Sequence, residues 1–328
     1  MRWLGAVQAQ DYGGAKWALG QRTRGASEAG LDRLFDEGAI LRTHVLRPTW
    51  HFVVPEDLDR LLRLTGPRIR GGLAARHRQL ELDLPTIARA GAAFEAALAG
   101  RKALTRAEMG AALTAVGIRP DGQRLPHLLL CAELDGVVTS GPRRGKQFTW
   151  MLFDDRAPRA AGFDRAEAAG DLVRRYFRSH GPAQLQDFIW WSGLTAAESR
   201  AGIELAAADL ASEEIDGKRY WFGAGAERAP KADRRAHLLP NYDEYLVAYR
   251  DRSAALHPDH PLGSLSSFGS ILSNVVLAGG HVRGTWRKGF RRGKVEIEVS
   301  LLGDLTPAER RGVDEAAKSA GRFFDPGT

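Results

Sequence analysis

The spacing of apolar residues predicts a definite order of helices and strands near the N-terminus. VQAQ (residues 7–10) is predicted to be extended, and Asp11 follows it as the N-cap of a helix. A second apolar repeat at helical spacing starts at Ser27. Residues 40–53, rich in β-branched and aromatic side chains, predict a strand pair or one long bent strand, and Pro55 opens the next helix. Helix, helix and strand hairpin form the outline of a winged helix.

The same outline recurs twice further along the chain. Residues 103–118 contain a Thr cap, a helix and a Gly stop, and a second helix is predicted at 125–136. Two β-prone runs at 137–152 then flank a cationic tip. A third copy covers residues 171–203, followed by a hairpin at 213–223 that turns at Asp-Gly. The copies match in pattern rather than letter by letter, so we interpret them as modules of one architecture.

The C-terminal part has a different pattern. A Pro/Ser/Gly-rich loop at 257–270 precedes β-prone runs with Gly turns at 273–302 and a closing helix at 306–324. We therefore predict an α+β fold of tandem winged-helix (helix-turn-helix) modules, followed by a β-rich C-terminal unit with a terminal helix. The predicted units are residues 1–84, 85–160, 161–230 and 231–328.

The composition is that of a globular protein with a modest excess of positive charge. The chain has 328 residues, of which 44% are hydrophobic, and 47 Lys and Arg against 40 Asp and Glu give a net charge of +7. Most of these cations are arginines, whose planar fork suits contacts with phosphate. This balance is consistent with a polyanionic partner but does not establish one.

Several other classes of protein are excluded. The one cysteine, Cys131, lies in an apolar helical run, so neither a disulfide framework nor a zinc finger can form. No His or Cys spacing matches a metal site, and no phosphate-binding or dinucleotide fingerprint occurs, so we expect no metal and no cofactor. No membrane-spanning run, signal-peptide pattern or dimerising coiled coil is evident. We expect a cytoplasmic monomer that does not bind membranes.

Two cationic clusters are candidates for contact with DNA. The first is the tip of the second module, with Arg143, Arg144 and Lys146, and its alternative interpretation is a solvated turn. In the second cluster, cations alternate with aromatic residues, which can stack on bases while the cations neutralise phosphates. Its candidate residues are Arg283, Trp286, Arg287, Lys288, Arg291, Arg292 and Lys294.

Two glutamines near the N-terminus are the most unusual candidates for a site. Gln8 and Gln10 do not ionise, but in an extended segment their side chains face the same side and can line one wall. Alternatively, they cap the following helix or bond a neighbouring strand. His51 on the predicted strand is interpreted as hydrogen-bonded structure when taken alone. Asp243 and Glu244 form either an acid–base pair or, for at least one of them, a helix cap.

Four ordered segments resemble the AlkZ-like winged-helix DNA glycosylases over nearly the whole chain. The segments are VQAQDYGGAKWALGQR, LRTHVLRPTWHFV, HGPAQLQDFIWWSGLT and LLPNYDEYLVAYRDR, with a late GTWRK. The resemblance implies winged-helix modules that wrap double-stranded DNA and excise bulky N7-alkylated purines, with interstrand crosslinks unhooked by some members. The family's catalytic signature matches Gln8 and Gln10, and its DNA-inserting hairpin matches residues 283–294. His51, within the matching RPTWHF, is expected to face the same pocket and is the third candidate catalytic residue.

The resemblance also suggests why glutamine suffices for catalysis. An N7-alkylated purine already carries a positive charge, so it leaves as a neutral base without the acid that ordinary glycosidases need. A glutamine amide can then hold water against the sugar. The rival interpretations are a sequence-specific transcriptional regulator and a non-catalytic architectural binder. Family members usually have a helical stretch before the glutamine motif, so the resemblance leads us to expect either a late start codon or an incomplete first module.

Overall fold

The computed structural model describes residues 1–226, 235–256, 273–291 and 294–325. Both predicted N-caps in the first part are confirmed, because the Asp11 carboxylate accepts the Gly14 amide and Ser27 Oγ accepts the Gly30 amide. The elements of this part are β1 (Val7–Gln8), α1 (Tyr12–Gly20), α2 (Glu28–Glu37), β2 (Leu41–His44), β3 (Trp50–Val53) and α3 (Pro55–Gln79).

These strands form an antiparallel sheet in the order β1-β3-β2, which confirms the strand pair predicted at 40–53. Gln8 lies opposite His51, and His51 lies opposite Thr43. Residues directly opposite each other in such a ladder point to the same face, so these three side chains share one side of the sheet. The Ala9 amide donates to the Trp50 carbonyl at 2.7 Å, which keeps the chain extended toward Gln10.

The middle part also follows the prediction. Thr105 and Glu108 form a reciprocal capping box at the start of the predicted helix. Cys131 is buried, and burial raises the pKa of its thiol to about 11, so the sulfur is an inert core group. The elements are α4 (Leu84–Leu98), β4 (Leu104–Thr105), α5 (Arg106–Ala115), α6 (Arg124–Leu134), β5 (Val138–Arg144) and β6 (Gln147–Leu152).

The third part contains three helices and a hairpin, as predicted. Asp216 and Gly217 both have left-handed backbone angles, with φ of 52° and 72°, which is the requirement of the two-residue turn that joins twisted strands. The elements are α7 (Arg165–His180), α8 (Leu185–Ser192), α9 (Ala196–Leu205), β7 (Leu210–Ile215) and β8 (Lys218–Gly223).

The C-terminal part is rich in strands and ends in a helix, which confirms that expectation. Its sheet has the order β12-β11-β10-β9. The loop predicted at 257–270 and the candidate Arg292 lie outside the described residues. The elements are β9 (Ala236–Leu239), α10 (Glu244–Val247), β10 (Val275–Ala278), β11 (His281–Arg291), β12 (Lys294–Leu301) and α11 (Pro307–Phe324).

The first and last parts of the chain share one hydrophobic core. Trp17 of α1 donates its indole N–H to the Leu238 carbonyl at 2.6 Å, and its ring centroid lies 5.0 Å from that of Phe323 and 5.7 Å from that of Phe324. Apolar residues of β1, α2 and the C-terminal sheet belong to the same cluster. The start of the chain is therefore held by the C-terminal sheet and helix. The winged-helix interpretation and the division into four units stay predictions.

Candidate active site

Gln8 is buried at the end of β1 and is fixed from two sides. Its main-chain amide donates to Glu244 Oε1 at 2.7 Å, and its side-chain Oε1 accepts Arg47 Nη2 at 3.0 Å. A guanidinium group can only donate, so this contact determines which end of the Gln8 amide is the oxygen. The Gln8 NH2 group is thereby left as the donor that can meet a ligand.

Glu244 is a buried carboxylate that ties three distant segments together. Besides the Gln8 amide, it accepts Trp191 Nε1 at 3.0 Å, and His180 Nε2 lies 3.5 Å away. Burial acts to raise the pKa of Glu244, but the His180 ring and the Gln8 amide outweigh it and hold the pKa below its ordinary value. Glu244 is therefore ionised at neutral pH. Its neighbour Asp243 caps α10, which confirms the capping interpretation for one of the pair.

Arg47 connects Gln8 with a cationic cleft. The cleft has a volume of about 510 Å³, and Arg68 and Arg250 line it together with Arg47. The Arg47 guanidinium lies 5.4 Å from the centroid of the Trp190 ring, and its burial lowers its pKa. A buried Gln8 thus lies behind an arginine that faces a positively charged surface recess.

Gln10 differs from Gln8 because it is exposed. Its Oε1 accepts the Trp50 amide in a long hydrogen bond of 3.4 Å, which leaves a lone pair available. Arg42 Nε donates to the Ala9 carbonyl at 2.9 Å, and Arg42 Nη2 lies 3.5 Å from the Gln10 carbonyl oxygen. Arg42 therefore supports the backbone between the two glutamines.

His51 lies on the same sheet face as Gln8 but is completely buried. Its Nδ1 is 2.8 Å from the Thr49 carbonyl oxygen, which makes Nδ1 the protonated nitrogen. Burial, assisted by the positive charge of Arg47, lowers the pKa of His51 to about 3, so the ring is neutral at physiological pH. A catalytic role for His51 stays a prediction. His44, by contrast, contacts the buried Glu133 with its Nδ1 at 2.7 Å.

The cationic tip between β5 and β6 is largely engaged within the protein. Arg143 contacts Asp32 at 3.2 Å and Asp36 at 3.3 Å, and Arg144 contacts Glu108 at 2.8 Å. Lys146 is exposed. Contact of all three residues with DNA stays a prediction, and the geometry favours Lys146 among them because a phosphate would have to displace the carboxylate partners of the two arginines.

The C-terminal cluster forms the β11–β12 hairpin, with exposed cations on its outer part. Trp286 is only 6% exposed and donates its indole N–H to the Leu239 carbonyl at 2.8 Å, so its ring belongs to the core rather than to the surface. Arg283 is also buried. The exposed residues of the cluster are Arg287, Lys288, Arg291 and Lys294, and Phe290 next to the tip is 67% exposed. Their contact with DNA stays a prediction.

Sequence reasoning missed Arg42, Arg47 and the part played by Glu244. The chain is rich in arginine, so nothing distinguished these two from the others. Glu244 had a weak signal, because NYDEY places two acidic residues beside an apolar run. Among the described residues, no group of three or more His, Cys, Asp or Glu side chains is placed to hold a metal ion. None of the described helices is long and apolar enough to cross a membrane.

Gln8 thus ends the edge strand β1, Gln10 lies two residues beyond it, and Arg42 and Arg47 contact this segment. A family model described as DNA glycosylase AlkZ-like matches residues 1–323. The chain therefore belongs to the AlkZ-like DNA glycosylase family, which confirms the resemblance seen in the sequence.

Two further comparisons, one of sequence and one of structure, identify similar proteins. The interstrand DNA cross-link repair glycosylase of Streptomyces sahachiroi is 26% identical over 163 residues, which cover 46% of this chain and 43% of that protein. The solved structure of the Streptomyces sahachiroi DNA glycosylase AlkZ has a TM-score of 0.79 to this chain at 20% identity, and the match covers 98% of this chain and 89% of that one. The structural likeness shows that the two proteins share a fold.

Proposed function

We propose that the protein is a monofunctional DNA glycosylase that hydrolyses the N-glycosidic bond of N7-alkylated purines in double-stranded DNA. Unhooking of interstrand crosslinks is the same reaction on a larger lesion, and the name of the Streptomyces relative supports it. The observation that carries the proposal is the arrangement of Gln8 and Gln10: one amide is fixed by Arg47, and the other is exposed beside it.

The chemistry requires little from the protein because the lesion supplies its own leaving group. Alkylation at N7 places a positive charge on the purine, and cleavage of the glycosidic bond neutralises that charge. Positive charge then develops on the sugar, and water must reach the anomeric carbon. Positioning that water supplies several kcal/mol without any proton transfer from an acidic side chain. An undamaged purine lacks the cationic leaving group and is left intact.

The contacts of the two glutamines suggest different tasks. Arg47 occupies the Gln8 oxygen, so the Gln8 NH2 group is the end that can donate to a sugar or phosphate oxygen. Gln10 is exposed and its oxygen is only weakly engaged, so it can accept a hydrogen bond from the attacking water. In this division Gln8 holds the substrate and Gln10 orients the nucleophile.

A duplex with a single N7-methylguanine tests the proposal. The wild-type protein should convert the lesion into an abasic site, which is detected as a strand break after alkaline treatment. Gln8→Ala and Gln10→Ala should each reduce the single-turnover rate by about 100-fold or more, as expected when a positioned group is lost. Binding of the same duplex should change by less than about threefold. Gln79→Ala, at an exposed helical position, is the matched control.

Two outcomes would contradict the proposal. If the Gln8→Ala, Gln10→Ala double variant still releases the base at the wild-type rate, the glutamines are not catalytic. If the wild-type protein releases no base but prefers one undamaged sequence about 10³-fold over random duplex, the protein is a sequence-specific DNA-binding protein.

A further inference from the structure

A large cavity lies between α5, β6 and the first sheet. Its volume of about 900 Å³ is within the range of small-molecule sites. Small side chains on one face of α5 form one wall, and aromatic side chains form the opposite wall. The wall on α5 consists of Ala107, Gly110, Ala111 and Thr114, and the aromatic wall consists of Trp50, Phe148 and Trp150.

A buried arginine lies at this cavity between two aromatic rings. The Arg42 guanidinium is 4.3 Å from the centroid of the Trp50 ring and 4.7 Å from that of Phe148. Burial lowers the pKa of Arg42 to about 10. Its side-chain hydrogen bonds go to backbone carbonyls, and it forms no salt bridge with any residue that the structure describes. The charges of Glu133 and Asp11 offset the effect of burial on Arg42 only in part, and a buried cation with no carboxylate in direct contact favours a ligand with negative charge or hydrogen-bond acceptors.

The other charged residues that line the cavity have the same sign as Arg42. Arg106 and Lys146 also line it, both are exposed, and none of the described lining residues is acidic. The Trp150 indole N–H is occupied by Glu133 at 2.7 Å, so the ring is left for stacking rather than for hydrogen bonding. A cationic ligand is therefore disfavoured here, and this includes the positively charged N7-alkylated purine ring itself.

The cavity adjoins the exposed glutamine. Trp50 donates its main-chain N–H to Gln10 Oε1 at 3.4 Å, and Arg42 contacts the carbonyl oxygens of Ala9 and Gln10, so two lining residues touch the segment that carries Gln10. A substituent on N7 lies only a few bonds from the anomeric carbon of the same nucleotide. A nucleotide whose anomeric carbon meets the water oriented by Gln10 would thus place a bulky N7 substituent at the mouth of this cavity.

We infer that the cavity is a specificity site for an uncharged or anionic planar aromatic substituent carried on N7 of the lesion. This inference rests on the proposed glycosylase function. The purine cation stays at the glutamines, while its aromatic substituent enters between the small face of α5 and the aromatic wall. The substituent is selected because it stacks on Trp50 and accepts hydrogen bonds from Arg106 and Lys146 at the rim of the cavity.

Three lesions in one duplex sequence test the inference: N7-methylguanine, N7-(4-carboxybenzyl)guanine and N7-(4-aminomethylbenzyl)guanine. The wild-type kcat/KM should be about tenfold higher for the carboxybenzyl than for the aminomethylbenzyl lesion. Ala111→Phe fills the cavity from an exposed position and should lower the carboxybenzyl-to-methyl ratio about tenfold. Ala115→Phe, exposed on the same helix but outside the lining, is the matched control. Arg106→Glu with Lys146→Glu should reverse the charge preference.

The outcomes separate this inference from the proposed function. The aromatic site alone is overturned if the protein releases N7-methylguanine but does not discriminate between the two benzyl lesions. It is also overturned if Ala111→Phe leaves the carboxybenzyl-to-methyl ratio of kcat/KM unchanged. Absence of base release from all three lesions overturns the proposed function. In that case competition binding of the three duplexes still tests the inference. The cavity must bind the carboxybenzyl duplex more tightly than the aminomethylbenzyl duplex, and Ala111→Phe must abolish that preference.

Discussion

Replacement of Glu244 by glutamine is the most informative single change, because it preserves shape while it removes the charge that holds Gln8. The wild-type carboxylate accepts hydrogen bonds from the Gln8 amide and from Trp191 Nε1. A glutamine has one oxygen. If that oxygen accepts the Gln8 amide, the NH2 group faces the Trp191 N–H, so that a donor meets a donor.

The expected cost follows from these contacts. A buried donor left without a partner costs about 1–3 kcal/mol, and replacing a charged acceptor by a neutral one costs about 1 kcal/mol more, which gives roughly 3 kcal/mol. With an unfolding entropy of about 2.1 cal/mol/K per residue, the 328 residues contribute roughly 0.7 kcal/mol/K. The Tm of Glu244→Gln should therefore fall by about 4 °C, and the excision rate at 25 °C should fall with it as β1 loses its anchor. Glu95→Gln, at an exposed helical position, is the control.

The pH dependence provides a second test of the same contact. The folded-state pKa of Glu244 lies below its ordinary value, so its stabilisation is fully present above the unfolded value of about 4.3 and is lost as pH falls through the folded pKa. The Tm difference between wild type and Glu244→Gln should therefore be largest near pH 7 and shrink below about pH 4. A Tm within 1 °C of wild type at pH 7, with a pH-independent difference, would refute the idea that this carboxylate anchors Gln8.

Three further predictions follow from the site and the hairpin. Arg47→Met should lower the single-turnover rate about 10- to 100-fold, because it releases the Gln8 oxygen from a hydrogen bond with a charged donor, and a rate near wild type would contradict this. The His51 ring should stay neutral from pH 5 to 8. An NMR titration of its imidazole with a midpoint in that range would contradict this prediction. Trp286→Ala should destabilise the fold by about 3–5 kcal/mol in denaturant unfolding, whereas Phe290→Ala should leave stability within about 0.5 kcal/mol and weaken DNA binding. Equal stability of these two variants would contradict the assignment of Trp286 to the core and Phe290 to the surface.

Local chemistry explains why much of the fold could be predicted from the sequence. Caps and turns depend on residues close in sequence, so Ser27, Thr105 and the Asp216–Gly217 turn are recognisable without any tertiary information. The β-branched and aromatic run before Pro55 likewise indicated a strand pair, which the register of β2 and β3 confirms.

The site was less predictable because its contacts join segments that are far apart in sequence. Gln8 meets Glu244 across 236 positions, and no local pattern encodes such a pairing. The hairpin cluster shows the converse problem. Trp286 stands among cations in the sequence, yet the alternation of a strand turns it into the core while Arg287 faces outward. A cationic run in the sequence does not by itself show which of its residues the fold buries.

The shared core of Trp17, Phe323 and Phe324 also has a consequence for how the protein is made. A ribosome synthesises α1 well before α11, so the apolar side of the N-terminal segment stays uncovered until α11 has been made. Glu244, the anchor of Gln8, is likewise synthesised late. A chain that stops before Glu244 and α11 therefore lacks the contacts that fix Gln8, and under the proposed function it would not excise a base.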